Sequence, residues 1–189
     1  MKKSVTKKAT KIKTKKKVHK KLVVKKKSVK RIKAKLETVY FGAGCFWGIE
    51  EAFRTTAGVV STEVGYAGGN VKEATYEQVC SDNTGHAEVV KVVYDSVKTS
   101  FKKLLDVFWR IHDPTQMNRQ GPDVGTQYRS VVFYTNSSQK KVAENSLRDE
   151  QKKRSRTIAT EIEKIINYVK AEDYHQKYLM KKGAKTCAV

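Results

Sequence analysis

Thr38-Val39-Tyr40-Phe41-Gly42-Ala43-Gly44-Cys45-Phe46-Trp47-Gly48 is the stretch from which the rest of the chain can be read. Its first four residues are β-branched or aromatic, the make-up of a short strand. Gly42 and Gly44 bracket a tight turn. Phe46 to Thr55 then reads as a helix, closed near Gly58. Cys45 thus falls where a strand-turn gives way to the first turn of a helix. Unpaired N–H groups and the helix dipole stabilise a thiolate there and lower its pKa. As a phosphate-binding fingerprint the segment fails, because Trp47 stands where the third glycine is needed. The competing reading is a buried structural cysteine between two core aromatics, since placement rather than residue type controls thiol reactivity.

Outward from this turn, Val59 to Tyr66 reads as a strand ending in the turn signal Gly68-Gly69-Asn70. Glu88 to Tyr94 is a Val-rich strand. Phe101, Leu104, Leu105, Phe108 and Trp109 recur at helical spacing and give one apolar face, with Thr99 or Ser100 as N-cap. His112 to Gln127 is a polar loop holding the chain's only two prolines, Pro114 and Pro122, and its length suggests function. Val131-Val132-Phe133-Tyr134 lacks polar alternation and predicts a central strand covered on both faces. Ser138 to Arg154 reads as a charged surface helix, Thr157 to Ile162 as a strand and Glu172 to Lys182 as a last helix. Strands and helices mix without a strict βα repeat, which predicts an α+β sandwich rather than a doubly wound sheet.

The chain has 189 residues and a formal net charge of +21. Residues 1–35 hold 17 Lys, one Arg and no acid, so they carry +18 of that charge and leave +3 for the other 154 residues. The basicity belongs to an arm joined to an ordinary domain of 36–189. Like charges self-repel and bury little, so the arm is expected to be disordered by itself. Charge alone suffices for non-specific binding to nucleic acid or another anionic surface. With no aromatics to stack on bases, single-strand sequence recognition is not expected of it. It lacks an apolar core for a secretory signal, and no window approaches the roughly 18 apolar residues of a membrane span. Three cysteines do not make a disulfide scaffold. A reducing, cytoplasmic setting is the expectation, with nuclear or organellar targeting by the arm as a variant of it. Nothing in the sequence demands an oligomer, so a monomer is expected.

Other residues that could carry chemistry lie at a distance. Thr84-Gly85-His86-Ala87-Glu88 puts a carboxylate at a strand start, where partial burial would raise its pKa and let it donate a proton near neutrality. Tyr76 and Tyr128 offer phenolic donors. Asp123 lies in the turn Gly121-Pro122-Asp123-Val124-Gly125, which it would ordinarily just stabilise. Cys187 sits near the C-terminus, suited to reaching a reactive centre or simply part of a frayed tail. Cys80 sits in an apolar context and reads as an inert buried thiol. No two Cys or His have zinc-ligand spacing, so no metal is expected. His86, His112 and His175 are scattered, and nothing local ties any of them to Cys45.

Taken together, these segments resemble the A-type peptide methionine sulfoxide reductases. The resemblance rests on Gly42 to Gly48, Gly65-Tyr66-Ala67-Gly68-Gly69, Thr84 to Glu88, His112-Asp113-Pro114-Thr115, Asn118 to Ser130 and Ala171 to Leu179. These run in the family's order and span residues 38–187; the arm lies outside. The resemblance implies a two-layer α/β sandwich with a mixed central sheet, of ferredoxin-like type. It implies reduction of methionine sulfoxide, free and in proteins, with preference for the S epimer. Cys45 would attack the sulfoxide sulfur and become a sulfenic acid. Glu88 would supply the proton that frees the oxygen, and Tyr76 and Tyr128 would hydrogen-bond it. Phe46 and Trp47 would wall the pocket for the methyl group, and Asp123 would orient the substrate. Cys187 would resolve the sulfenic acid to a disulfide, reduced in turn by thioredoxin or another dithiol, with no further cofactor. Lys185-Thr186 stands where many members have glycine-tyrosine, and Cys80 is the reserve for Cys187. Two other readings compete: a polyanion-binding protein whose domain is idle, and a cysteine acyl-transfer hydrolase pairing Cys45 with a histidine.

Overall fold

The computed structural model describes residues 33–81 and 83–184. The expectations placed on the basic arm and on Cys187 lie outside the described residues.

The chain runs β1 (Leu36–Ala43), α1 (Phe46–Arg54), β2 (Val59–Ala67), α2 (Tyr76–Cys80), β3 (Ala87–Asp95), α3 (Phe101–Ile111), β4 (Arg119–Gln120), β5 (Asp123–Val124), β6 (Ser130–Tyr134), α4 (Ser137–Gln151), β7 (Glu161–Lys164), β8 (Val169–Lys170) and α5 (Tyr178–Lys182). Six strands form one sheet in the order β7-β6-β1-β3-β2-β8, and β4 and β5 pair separately. Only β6 and β7 run parallel, which makes the sheet mixed. Its middle four strands stand in the spatial order β6-β1-β3-β2, with α1 following β1 and α3 following β3. That is the β-α-β-β-α-β arrangement of a ferredoxin-like core.

Alternation along the strands assigns each residue to a face. Val39, Phe41, Val64, Val90, Val92 and Val132 join Ile49 and Phe53 of α1, Leu104, Leu105 and Phe108 of α3, and Ala143 of α4 in one buried cluster. The helices therefore cover one side of the sheet and make the second layer. Phe41 stacks on Phe53 with ring centroids 4.5 Å apart. The other side buries Ala67, Ala87, Val89, Val131 and Phe133 beneath Tyr40, Ile165 and Tyr168. Strand β6 is thus covered on both faces, as its unbroken apolar run predicts. Ser100 caps α3, its hydroxyl accepting from the Lys103 N–H.

Two expectations about the elements are corrected. The strand expected over 157–162 lies at Glu161–Lys164, beside β6. The helix expected from Glu172 begins only at Tyr178, because Lys177 adopts a left-handed backbone, φ 52°, with its N–H donated to Glu50 Oε2 at 2.6 Å. The polar loop expected over 112–127 has internal structure. It contains the β4–β5 hairpin and a 3₁₀ turn at Thr126–Tyr128. Gln120 ties its base together, accepting from the Asp113 N–H and donating to the Asp113 carbonyl, each at 3.0 Å.

Candidate active site

Gly44 has φ +92°, a conformation that side chains rarely adopt, and a Cβ there would fall 2.6 Å from Gln120 Cβ. Both facts call for glycine. They also show how closely the 112–127 loop seats against the turn before Cys45. Cys45 is the N-cap of α1 and is half-buried. Its sulfur lies at the end of a helix whose first N–H groups have no partner within the helix.

One of those N–H groups decides the character of the site. Phe46 N–H, the first of α1, donates to Glu88 Oε2 at 3.0 Å. Glu88 enters from β3, two strands removed in sequence but adjacent to β1 in the sheet, on the helix-covered face. It is 2% exposed. Burial pushes its pKa up to about 8, the Phe46 N–H opposes that rise, and the charge of Asp123 adds to it. A helix N-terminus favours an anion, yet here desolvation dominates and leaves a neutral acid bonded to the N–H one residue along the chain from the thiol.

Two phenols share this environment. The Tyr128 hydroxyl is pushed to higher pKa first by burial and then by the charges of Glu88, Cys80, Tyr76 and Asp123. That of Tyr76 is raised first by its hydrogen bond with Cys80, then by burial and by charge at Cys80, Glu88 and Cys45. Both phenols stay protonated and able to donate. Glu88 thus lies within electrostatic reach of Tyr76, Asp123 and Tyr128, and Cys45 within reach of Tyr76. Of the two expected wall residues, Phe46 is 2% exposed and packs between Tyr66 and His175. Trp47 is half-buried and stacks on Tyr178, ring centroids 3.9 Å apart.

Cys80 is corrected from buried to exposed. It ends the five-residue helix α2, whose inward residue is Val79 at 1% exposure. Tyr76 and Cys80 are four residues apart on α2 and so share a face.

Sequence reasoning passed over a second polar group behind the site. Glu172 accepts from Tyr66 Oη at 2.9 Å and from the Tyr76 N–H at 3.1 Å. His175 accepts from Trp47 Nε1. The available signal was the run Ala171 to Leu179, one of the segments that carry the family resemblance. The other two histidines among the described residues have structural partners. His112 is bonded to the Phe108 carbonyl and Ser130 Oγ, and burial brings its pKa down to about 4. His86 meets the Asn167 carbonyl. These contacts do not favour a Cys–His hydrolase. Among the described residues no group of three His, Cys, Asp or Glu could hold a metal ion, and no helix is long and apolar enough to cross a membrane.

A family model described as peptide methionine sulfoxide reductase matches residues 37–189. The peptide methionine sulfoxide reductase MsrA of Methanosarcina acetivorans is 57% identical over 150 residues, 78% of this chain and 80% of its own. Among solved structures, reduced Mxr1 of Saccharomyces cerevisiae superposes with a TM-score of 0.76 at 40% identity, covering 83% of this chain and 91% of that one. Mxr1 in complex with Trx2 superposes with a TM-score of 0.55 at 29% identity, covering 80% and 91%.

Proposed function

This chain belongs to the peptide methionine sulfoxide reductase family, and from that premise we propose how its own residues perform thiol-dependent reduction of methionine sulfoxide. Cys45 is the nucleophile and Glu88 the general acid. The observation that carries this assignment is the bond between Glu88 and the first N–H of the helix that Cys45 caps. A carboxyl that keeps its proton to about pH 8 and is bonded to the N–H next in the chain after Cys45 supports the assignment.

A sulfoxide sulfur is a poor electrophile until its oxygen is protonated. Glu88 donates that proton, and the hydroxyls of Tyr76 and Tyr128 hydrogen-bond the same oxygen. Proton donation of this kind is worth about 10²–10⁴ in rate. Phe46 N–H occupies Glu88 Oε2, so the proton is carried on Oε1. The net change moves one oxygen from substrate sulfur to cysteine sulfur. The thiol becomes a sulfenic acid, and methionine leaves in the reduced form. Trp47, backed by Phe46, receives the substrate methyl group, Asp123 orients the rest, and a fixed methyl side selects the S epimer of free and protein-bound substrate.

Cys187 then attacks the sulfenic sulfur, releasing water and forming a disulfide. Thioredoxin or a similar dithiol returns both thiols by exchange, a reading supported by the Mxr1–Trx2 complex. The test is a free-thiol count with intact mass, before and after methionine sulfoxide is added without reductant. The wild type should lose two thiols, Cys45→Ser none, and Cys187→Ser should hold a sulfenic acid. No loss in the wild type would refute the assignment of Cys45. A loss of two that persists in Cys187→Ser would pass the resolving role to Cys80.

A further inference from the structure

Behind the Trp47 ring lies a buried histidine that the mechanism above does not use. His175 is 2% exposed. The rings of Phe46, Trp47 and Tyr76 surround it at centroid distances of 5.2, 5.7 and 4.8 Å. One polar contact fixes its state: Trp47 Nε1–H donates to His175 Nδ1 at 3.1 Å. An indole nitrogen can only donate, so Nδ1 must present a lone pair and the ring's single proton sits on Nε2. Nε2 is buried with no hydrogen bond, 3.9 Å from Glu172 Oε2. An unmet buried donor costs free energy. Turning the ring toward the carboxylate would take Nδ1 away from the indole, so the histidine is oriented for Trp47 at the expense of Nε2. The stack on Tyr178 holds the indole face, at an interplanar angle of 13°. Stacking leaves a ring free to slide in its plane. The bond to Nδ1 is what sets its position within that plane.

We propose that His175 is a positioning residue for the sulfoxide pocket: by accepting the Trp47 indole proton it holds that ring where it receives the substrate methyl group, and so sets affinity rather than the chemical step. The inference rests on Trp47 being the pocket wall. Burial holds the His175 pKa below its ordinary value, against the pull of Glu172, and keeps the ring neutral and able to accept. The other titratable groups against it, Tyr76 and Tyr174, have raised pKa values, Tyr76 chiefly through its bond with Cys80 and Tyr174 chiefly through burial.

The test uses the full chain in a single reductase turnover, measured across sulfoxide concentration, together with the indole N–H resonances of the ¹⁵N-labelled protein. There are two tryptophans, and Trp109, which donates to Ser146 Oγ, serves as internal reference. His175→Phe keeps a ring but removes the acceptor. It should raise the half-saturating sulfoxide concentration about tenfold, the worth of one such hydrogen bond. The rate at saturation should stay within about twofold, the signature of lost uniform binding. The Trp47 resonance should move upfield while that of Trp109 stays. His175→Asn puts Oδ1 where Nδ1 stood and should restore affinity and resonance together. His175→Gln, whose amide reaches the Nε2 position instead, should weaken affinity and decides the matter if the phenylalanine variant does not fold. A fall in the saturating rate with affinity intact would overturn the proposal. So would failure of asparagine to restore affinity, or an undiminished loss when His175→Gln is made in a Trp47→Phe background. If Trp47→Phe alone leaves affinity unchanged, the wall assignment fails and the proposal with it.

Discussion

Two glutamates flank the same site, and the protein treats them in opposite ways. Glu88, in front, is buried on β3 with one N–H donated to it, and its pKa rises to about 8. Glu172, behind, is partly exposed and takes donors from Tyr66, from the Tyr76 backbone and from its own N–H. Its pKa falls below the ordinary value: burial pulls upward, but the donors together outweigh it. The lesson is that a carboxyl's character here follows the count of donors set against the loss of water, not the nearness of a cation. The front group is left short of donors and keeps a proton to give. The back group is supplied with them and serves as an anchor.

The comparison can be broken most decisively at the front. Glu88→Gln should lower the rate of the reductase step by about 10²–10⁴, whereas Glu172→Gln should cost less than about tenfold, the scale of a single misplaced hydrogen bond. Single-turnover release of methionine measures both, and equal losses would erase the distinction between them.

Next in size is the pH response. A general acid at Glu88, as proposed, would deliver its proton only while it holds one, so the reductase rate should decline as pH rises through about 8. Glu88→Gln should lose that limb. Stability carries the same sign. The unfolded chain releases this proton near 4.5 and the folded chain near 8, so between them the folded state binds more protons and loses stability as pH rises. Glu172 works in reverse: its contribution is present above its unfolded pKa and fades as pH falls through its lower folded one. Urea unfolding at pH 5 and pH 8 should therefore show a decline in the wild type that Glu88→Gln abolishes.

A smaller effect sharpens the picture from behind. Tyr66→Phe removes one donor from Glu172 and should destabilise the fold by about 1 kcal/mol, read as a shift of the denaturation midpoint at unchanged slope. The smallest effect is none: deleting residues 1–35 should leave turnover of free methionine sulfoxide unaltered, since a charged arm gains little from a substrate of no net charge.

What could be read from the sequence follows the length of the pattern. α3 has five apolar residues in register and a serine cap, and both its ends and its buried face were legible. β8 has two residues and α2 five, too few for either period to show, and neither was anticipated. The error over Cys80 has the same root, since in so short a helix the apolar neighbour Val79 takes the inward position and leaves the cysteine outside. The false helix start at Glu172 has another. No local signal announces that Glu50, 127 residues earlier, will take the Lys177 N–H and hold that residue in a left-handed turn. Of the site, the residues with intrinsic chemistry stood out by type, from Cys45 to Asp123. His175 and Glu172 did not, because their meaning lies in partners that only the fold supplies.

The sheet ends on one side in the four-residue β7 and on the other in the two-residue β8. The first reads Glu161-Ile162-Glu163-Lys164, and the second carries Lys170. A long, flat, uncharged border invites another chain to add itself as a strand, and short charged borders discourage it. Oxidised methionine is polar and loosens the cores that contain it, so the clients of such an enzyme arrive with unpaired backbone of their own. A sheet with so little border to offer can handle loosened chains without becoming the template on which they aggregate.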